Sequence, residues 1–322
     1  MQAIVLSSHD PAFNLALEET LCRTIEEDLC MLWQNSASVI VGRHQCTQEV
    51  VNTAFVARHA IPVIRRLSGG GAVYHDLGNL NFSFLRKTKT LSPDCQSILR
   101  PLLHALESLG LAVKHTGRND LEVQGKKISG ISQARVGSTH LVHGTLLVDV
   151  DQDVLAEVLK VDLAKIQSKG IRSVAARVCN LAQIWPGASV ERLTEVLLEH
   201  CATDTITLTE AVLTEARTCM EQKYSQWSWN FGASPPWSEE RSKRFPWGSV
   251  CLRLDIKGGI VRACSISGDF FALRPVEELE RLFVGKAWRE EVLCPLIRDL
   301  PWQAYFLHCD PAQMQRFFLG TR

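Results

Sequence analysis

The sequence lacks the cysteine patterns of a zinc site or of a disulfide-stabilised secreted protein. Its 11 cysteines are scattered singly, and none forms a C-x-x-C pair. Such spacing favours reduced thiols in the cytosol, most of them small buried side chains. We therefore expect a cytoplasmic protein without a structural metal.

The chain also lacks an excess of charge of one sign and a long apolar run. Lys and Arg together number 35, as do Asp and Glu together, so no overall field would draw the chain to nucleic acid or to an anionic membrane. No apolar run approaches the roughly 20 residues that a membrane helix needs. Residues 1–10 have neither the basic and apolar regions of a signal peptide nor the character of a transit peptide. We expect no membrane partner and no nucleic-acid partner.

The glycine-rich stretch that the chain does have, residues 65–79, fits none of three common motifs. It reads Arg-Arg-Leu-Ser-Gly-Gly-Gly-Ala-Val-Tyr-His-Asp-Leu-Gly-Asn, without the Gly-Lys-Ser/Thr of a Walker loop, a G-x-G-x-x-G fingerprint or a G-x-S-x-G elbow. The apolar run 61–64 before it predicts a short buried strand. Glycines let a ligand approach the main chain, successive N–H groups can form an anion nest, and arginines add charge-assisted contacts. The pattern is compatible both with anion binding and with a glycine hairpin that binds nothing.

Several helices are predicted from apolar periodicity and capping residues. The first should begin at Asp10-Pro11, because aspartate is a good N-cap and proline suits the first helical position. Its apolar stripe comprises Leu17, Leu21 and Ile25, which leaves Glu18, Glu19, Glu26 and Glu27 off the stripe. A helix around 98–109 should end at Gly110. Helical patterns follow at 154–159, 190–197, 275–282 and 310–318.

The strand patterns predict an α+β fold in two domains. Strands are predicted at 3–6, 31–34, 38–43, 80–85, 121–123, 127–132 and 139–148, with 80–85 alternating like a half-buried strand. Residues 250–256 and 260–266 predict a hairpin. Strands and helices do not alternate regularly along the chain as they do in a parallel βαβ fold. We therefore expect a mixed, largely antiparallel sheet packed with helices. We also expect a small α+β C-terminal domain. The predicted limits are 1–229 for the larger domain, 230–240 for a linker and 241–322 for the smaller domain.

The pattern R-R-x-S-G-G-G-A-V-x-H-D-x-G-N in the glycine-rich stretch resembles the signature of lipoate–protein ligases and lipoyltransferases, within the biotin/lipoate ligase superfamily. Stretches at 117–121, 125–130, 143–147 and 169–174 resemble that family in the same order, with Trp33 and 42–45 upstream and 227–231 at the interdomain region. The similarity runs nearly end to end and includes the small C-terminal domain of single-chain ligases. One departure is Cys46-Thr47-Gln48, where the family often has Asn-Pro-Trp. This departure affects the residue at which the local helix begins and the preference for the acyl group or the carrier protein.

The resemblance implies an ATP-dependent lipoate–protein ligase that uses Mg²⁺. Such an enzyme activates lipoate to lipoyl-AMP and transfers the lipoyl group to a specific lysine of a lipoyl-carrier domain. The implied partners are E2 lipoyl domains of 2-oxoacid dehydrogenases, the glycine-cleavage H protein or another lipoyl carrier, and we expect a monomer. No side chain needs to be a covalent nucleophile, because the acceptor lysine attacks the mixed anhydride.

The resemblance also implies which residues form the site. Lys127, in the family's K-x-S-G pattern, would contact the carboxylate and the α-phosphate as the catalytic lysine, while Lys126 should face the other side of the strand. Asn119 and Asp120 would support phosphate and Mg²⁺, and of the two we name Asp120 as the Mg²⁺ ligand, although the sequence does not show which of them binds the metal directly. The implied ATP and lipoyl-AMP site comprises Arg66, Ser68, Gly69, Gly70, Gly71, Ala72, Val73, Tyr74, His75, Asn79, Asn119, Asp120, Lys127, Ser129, Gly130, Lys169, Ser173 and Val174. The implied lipoyl pocket comprises Trp33, Val73, His143, Gly144 and Leu146.

Other interpretations stand beside this one. A lipoyltransferase would use the same pocket with preformed lipoyl-AMP. An enzyme that transfers octanoyl or lipoyl groups through a thioester would need a nucleophilic cysteine, for which Cys179, in the basic stretch 165–180, is the candidate. A non-catalytic carrier-binding module is a further alternative. His75 and His143 either orient the acyl group or serve as structural histidines.

Overall fold

The computed structural model describes residues 1–90, 94–116, 119–160, 178–231 and 238–320. Over these residues the chain divides into two compact units. The first comprises 1–41, 47–67 and 72–231, and the second comprises 42–46, 68–71 and the C-terminal part of the chain. The predicted linker over 230–240 begins and ends in regular structure, because Asn230 is the last residue of a helix and Glu239 is the first residue of a strand.

The first unit is built on a mixed sheet in which antiparallel pairing dominates, as predicted. The strands of the first unit, which form two sheets, are β1 (Gln2–Val5), β2 (Leu29–Trp33), β3 (Ser38–Val41), β4 (Val63–Arg65), β5 (Val73–His75), β6 (Asn79–Lys87), β7 (Val113–Thr116), β8 (Asp120–Val123), β9 (Lys126–Val136), β10 (Thr139–Leu147) and β11 (Asp204–Thr205). The large sheet has the order β11-β1-β2-β6-β10-β9-β8-β7. Within it β1 pairs in parallel with β2 and with β11, and the other described pairs are antiparallel.

A second, three-stranded sheet of the same unit has the order β4-β3-β5. β3 pairs in parallel with β4 and antiparallel with β5. The sheet therefore presents Arg65 at the end of β4 and His75 at the end of β5. These two chain positions lie on either side of the three consecutive glycines, residues 69–71.

Four helices of the first unit begin and end close to the predicted positions, and four others were not predicted. They are α1 (Pro11–Thr24), α2 (Thr47–Val50), α3 (Thr53–Arg58), α4 (Cys95–Ser108), α5 (Gln152–Val158), α6 (Val190–Cys201), α7 (Glu210–Cys219) and α8 (Trp227–Asn230). Asp10 caps α1 as expected, because its carboxylate accepts the N–H groups of Ala12 and Phe13 at 2.8 and 3.2 Å. Gly110 follows α4 with a φ of 78°, a conformation that glycine adopts without strain.

Helices cover both faces of the large sheet, and this overturns two expectations. One face packs on α1 in a cluster that includes Leu85 and Leu141, and the other packs on α4 and α6 in a cluster that includes Phe82 and Phe84. The first seven residues of β6 are therefore buried, whereas the alternation at 80–85 predicted a half-buried strand. Glu18 of α1, which lies off the predicted apolar stripe, is fully buried for the same reason.

The second unit contains the predicted hairpin within an antiparallel sheet of three strands. Its elements are β12 (Glu239–Phe245), β13 (Gly248–Lys257), β14 (Ile260–Gly268), α9 (Glu277–Phe283), α10 (Glu290–Ile297), α11 (Trp302–Tyr305) and α12 (Pro311–Leu319). Its core is rich in buried aromatic side chains, among them Phe270, Phe283, Trp302, Phe306 and Phe318. None of the helices described in either unit combines the length and the apolar character that a membrane crossing requires.

Candidate active site

A bulge at the start of β9 orients Lys127. The pairing of β9 with β8 shifts between Leu121, which faces Ser129, and Glu122, which faces Lys127, so Ile128 is an extra residue. Ile128 and Ile131 consequently enter the same core cluster, although they are three positions apart and strict alternation would place them on opposite faces. Lys127 and Gly130 then share the opposite face of the sheet, where α1 lies.

The ammonium group of Lys127 lies beside a carboxylate in a partly exposed position. Its Nζ is 2.7 Å from Oδ1 of Asp120, and the two side chains are 28% and 29% exposed. A Cβ at Gly130 would lie 3.2 Å from the same Nζ, so the absence of a side chain there leaves room for the lysine. The N–H of Gly130 donates to Oγ1 of Thr145 on β10 at 3.2 Å. The predicted catalytic lysine and the predicted Mg²⁺ ligand are therefore neighbours, whereas Lys126 is exposed.

The two consecutive arginines have different roles. Arg65 donates through its guanidinium to the carbonyl oxygens of Trp229 and Asn230 and to Oγ1 of Thr47, at 2.8 to 3.1 Å. These bonds hold α8 against the second sheet. The guanidinium of Arg66 is buried and donates to the carbonyl of Ile40 at 3.3 Å.

Arg66 keeps its positive charge despite this burial. Burial lowers its pKa to about 10, with the negative charge of Glu18 acting in the opposite direction and the charge of Arg65 in the same direction. A guanidinium with that pKa is protonated at neutral pH. It meets the charge requirement of the predicted contact with a phosphate or a carboxylate.

A chain of hydrogen bonds joins Trp33 to His143 through two residues that the sequence analysis missed. The indole N–H of Trp33 donates to Oγ of Ser83 at 2.9 Å, and the hydroxyl of Ser83 donates to Oε1 of Glu18 at 2.6 Å. Nδ1 of His143 donates to the same carboxylate oxygen at 2.8 Å. Nδ1 of His143 therefore carries the proton in the neutral ring. The sequence offered one hint, because Glu18 directly follows Leu17 of the predicted apolar stripe.

His75 is held in the opposite tautomer. The amide nitrogen of Asn14 lies 2.9 Å from the carbonyl oxygens of Ser8 and Gln34 and 3.0 Å from Oδ1 of Asn35, and its two hydrogens are shared among these acceptors. Nδ2 of Asn35 donates to Nδ1 of His75, which is 3.1 Å away. The proton of the neutral imidazole is therefore on Nε2. Burial, followed by the charges of Arg66 and His143, lowers the pKa of His75 to about 3, so the ring is neutral at physiological pH.

Three residues of the large sheet have buried polar atoms without partners among the described residues, Asn79 and Asn81 on the face of Ser83 and Ser129 on the face of Leu121. Nδ2 of Asn79 donates to Oδ1 of Asn81 at 2.8 Å. Oδ1 of Asn79, Nδ2 of Asn81 and Oγ of Ser129 have no hydrogen bond within the part of the chain that the structure describes. Native proteins rarely leave such atoms unpaired. A bound nucleotide or acyl group would supply partners, and Asn79 and Ser129 are among the residues that the resemblance implies.

Two residues assigned to the lipoyl pocket lie on the other face of the sheet. Leu146 is fully buried in the cluster with Phe82, and a Cβ at Gly144 would lie 2.6 Å from Cζ of Phe82. Strand alternation puts both residues opposite His143. The structure instead brings Trp33 and Val73 together in one apolar cluster. Tyr74 packs in another cluster, so only its main chain could contribute as expected.

The predicted glycine loop, Ser68–Gly71, belongs to the second unit. There the N–H of Gly70, at a φ of 90°, donates to the carbonyl of Phe270 at 3.2 Å. A Cβ at Gly69 would overlap that same carbonyl oxygen, whereas Gly71 has open space around it. Gly69 and Gly70 thus have a packing role, and their predicted contact with phosphate stays a prediction. Lys169, Ser173 and Val174 lie outside the described residues.

Comparisons with known proteins identify relatives along nearly the whole chain. A family model for the lipoyl protein ligase A/B catalytic domain matches residues 10–202, and one for the bacterial lipoate protein ligase C-terminus matches residues 234–318. The lipoate–protein ligase LplJ of Bacillus subtilis is 38% identical over 309 residues, which cover 92% of this chain and 93% of that protein.

Two solved structures are also similar. A crystal structure of lipoate–protein ligase A bound with ATP has a TM-score of 0.63 at 28% identity, covering 72% of this chain and 99% of the other. A structure of a bipartite lipoate–protein ligase and its E2 lipoyl domain from Thermoplasma acidophilum has a TM-score of 0.62 at 30% identity, covering 74% and 100%.

Proposed function

The chain belongs to the lipoate–protein ligase family, and on that premise we propose that it activates lipoate with ATP to lipoyl-AMP and transfers the lipoyl group to a lysine of a lipoyl-carrier domain. It would act as a monomer on E2 lipoyl domains, the glycine-cleavage H protein or another lipoyl carrier. The similar archaeal ligase is described together with its E2 lipoyl domain as one lipoylation system, which supports a carrier of this type. The similar ligase bound with ATP supports the nucleotide as co-substrate.

The observation that carries the proposal is the position of Lys127 on the bulge of β9. Adenylation joins a carboxylate to an α-phosphate, and two anions must approach each other for this to happen. A compact ammonium group between them offsets their repulsion. Lys127 has that group 2.7 Å from Asp120 and in a partly exposed position, where a substrate can reach it. Arg66 adds a second, buried positive charge in the first unit.

The transfer step needs no covalent intermediate on the enzyme. The amine of the carrier lysine attacks the carbonyl carbon of lipoyl-AMP, the amide bond forms, and AMP leaves with the electrons of the broken anhydride bond. The enzyme contributes by holding the adenylate and excluding water. Lipoate-dependent release of pyrophosphate from ATP tests the first step. Release that does not depend on lipoate would refute the proposed activity.

The residues around Lys127 fit a Mg²⁺ ion that is bound mainly through the nucleotide. Magnesium keeps several waters and takes one or two carboxylates together with phosphate oxygens. Within the described residues no group of three or more His, Cys, Asp or Glu side chains is placed to hold a metal. Asp120, at 29% exposure, would supply the one carboxylate that such a site needs. A bound Mg²⁺ ion would neutralise phosphate charge.

Asp120→Asn should raise the Mg²⁺ concentration needed for half-maximal adenylation by about tenfold, because an amide oxygen is a weaker ligand than a carboxylate. Pyrophosphate release measured across a Mg²⁺ titration gives this value. Glu122→Gln removes a carboxylate from the same strand and serves as the control with an unchanged requirement. If Asp120→Asn loses activity at every Mg²⁺ concentration alike, Asp120 acts only by pairing with Lys127.

A cysteine-dependent transferase is a poorer fit to the structure. Cys179 is buried, and its Sγ lies 3.2 Å from Oε1 of Gln183 and 3.3 Å from the carbonyl of Asn180. Its backbone N–H donates to the carbonyl of Lys127 at 2.8 Å. These contacts give the residue a structural role at the start of β9.

Cys179→Ser should therefore retain lipoate-dependent carrier modification to within about twofold, because no covalent step uses the thiol. The rate of carrier modification with ATP and lipoate measures this, with circular dichroism as the folding control. A complete loss of transfer in a folded variant would instead support the thioester mechanism.

A further inference from the structure

Strand β4 lies at the edge of the second sheet, and two side chains of α8 close that edge. The N–H of Arg66 donates to the carbonyl of Val41 on β3 at 3.0 Å, so the main-chain groups of the preceding residue, Arg65, point away from β3. Oδ1 of Asn230 accepts the N–H of Arg65 at 2.9 Å, and the indole N–H of Trp229 donates to the carbonyl of Arg65 at 2.8 Å. The two side chains thus take the place of the neighbouring strand that an edge lacks.

The contact between Arg65 and α8 is reciprocal. The guanidinium of Arg65 donates to the main-chain carbonyls of Trp229 and Asn230 at 2.8 and 3.1 Å, while the side chains of those two residues bind its main chain. Arg65 is 7% exposed and Asn230 is 5% exposed, so water competes little for these bonds. Two consecutive residues of α8 therefore fix the end of β4.

Glu19 of α1 supports α8 through the single π-helical turn that follows α7. Its Oε2 accepts hydrogen bonds from Nζ of Lys223 at 2.6 Å and from the hydroxyl of Tyr224 at 2.7 Å. Nζ of Lys223 also lies 4.1 Å from the ring centre of Trp229, and the carbonyl of Tyr224 accepts Nδ2 of Asn230 at 2.7 Å. π-Helical turns are rare and often lie at functional sites. The two residues that close β4 are thus held in place from α1.

Arg66, the next residue after the one that α8 holds, carries the buried positive charge that the proposed function uses. Its main chain is tied to β3, and its guanidinium, 7% exposed, donates to the carbonyl of Ile40 at 3.3 Å. A guanidinium binds an anion best when its donors already lie in the required geometry. A shift of the main chain at Arg65 would move those donors.

We propose that Trp229 and Asn230 are positioning residues for Arg66. By closing the edge of β4 they fix the main chain of Arg65, and thereby the guanidinium of Arg66 that meets a phosphate or a carboxylate of the substrates. Neither residue needs to touch a substrate. The inference rests on the proposed function and gives a role to the stretch 227–231, which the sequence analysis placed at the interdomain region.

Trp229→Phe tests the inference, because it removes the hydrogen bond to Arg65 and keeps an aromatic ring beside Lys223. Calorimetry gives the dissociation constants of ATP and of lipoate, and pyrophosphate release gives kcat and KM. Arg66→Ala should weaken the binding of the anion that Arg66 meets by about a hundredfold. Trp229→Phe should weaken the binding of the same ligand by about tenfold, because a displaced guanidinium loses part of its charge-assisted hydrogen bonds.

A double-mutant cycle separates positioning from a general effect on the fold. If Trp229 acts through Arg66, adding Trp229→Phe to Arg66→Ala should cause no further loss of binding. Asn230→Ala removes the acceptor of the Arg65 N–H and should behave in the same way. Circular dichroism checks that each variant is folded. Arg66→Lys, which keeps the charge but lacks the planar fork of donors, replaces Arg66→Ala if the alanine variant does not fold.

Trp227→Phe is the matched control, since it makes the same substitution on the same helix. Trp227 is 58% exposed and stacks on Phe231 at 6.2 Å between ring centres. The control should leave both dissociation constants and the adenylation rate unchanged.

A loss of binding that Trp229→Phe causes equally with Arg66 and without it would overturn the inference, because that pattern belongs to a structural role. So would wild-type binding of ATP and lipoate in Trp229→Phe or in Arg66→Ala, or an equal loss in Trp227→Phe. If the wild-type protein binds ATP and lipoate but releases no pyrophosphate, the proposed function fails, and the dissociation constants still decide the positioning role.

Discussion

Lys127→Ala is expected to lower lipoate-dependent adenylation by roughly a hundredfold to a thousandfold, the usual effect of removing a charge or donor that acts at the transition state. The ammonium group of Lys127 lies 2.7 Å from Oδ1 of Asp120 on the bulge of β9. The proposed function places the substrate carboxylate and the α-phosphate beside this group. The fold should survive the change. The ion pair with Asp120 is partly exposed, and such pairs contribute about 1 kcal/mol or less to stability. Pyrophosphate release with and without lipoate measures the effect.

Lys126→Ala is the matched control for this experiment. It removes the same chemical group from the preceding residue, which is exposed on the other side of the strand. Its adenylation rate should stay close to that of the wild-type protein. Near-normal adenylation in Lys127→Ala, or equal losses of adenylation rate in the two variants, would show that Lys127 is not the catalytic lysine.

Gly69→Ala is expected to lower the free energy of unfolding by about 1–3 kcal/mol, the usual cost of forcing extra volume into a packed site. The Cβ of an alanine at this position would overlap the backbone carbonyl oxygen of Phe270, and a backbone atom cannot move aside as a flexible side chain can. The segment around Phe270 is held further by stacking of its ring on His44, at 4.6 Å between centroids. Thermal and denaturant unfolding measure the change.

Gly71→Ala provides the comparison within the same loop. No heavy atom lies within 4 Å of a Cβ at Gly71, so this variant should unfold at the temperature of the wild-type protein. Because the two substitutions add the same methyl group two residues apart, loop composition cannot explain a difference between them. Equal stability of the two variants would show that the contact between Gly69 and Phe270 does not constrain the loop.

The parts of the fold that follow local rules could be predicted from the sequence. Asp10-Pro11 starts α1 and Gly110 follows α4, because capping and left-handed φ values depend on a few adjacent residues. The hairpin around Lys257-Gly258-Gly259 is equally local. The order of strands in the large sheet depends on pairing between distant residues, and no local pattern specifies it.

The site contains features that depend on tertiary packing and so escaped prediction. Strict alternation along β9 would separate Ile128 from Ile131, and only the bulge puts both in one core and Lys127 on the other face. The burial of Glu18 depends on the elements that pack around α1. The assignment of Gly144 and Leu146 to the lipoyl pocket is a different case, because alternation along β10 alone would have separated both from His143.

Intact-mass analysis of an apo lipoyl domain tests the central claim most directly. The purified domain is incubated with this protein, lipoate and Mg-ATP in one reaction, and with this protein and synthetic lipoyl-AMP without ATP in another. The account predicts that the domain gains the mass of one lipoyl group in both reactions. A gain only with lipoyl-AMP would identify a transferase that does not activate lipoate. A gain in neither reaction, with a second carrier also tested, would contradict the account.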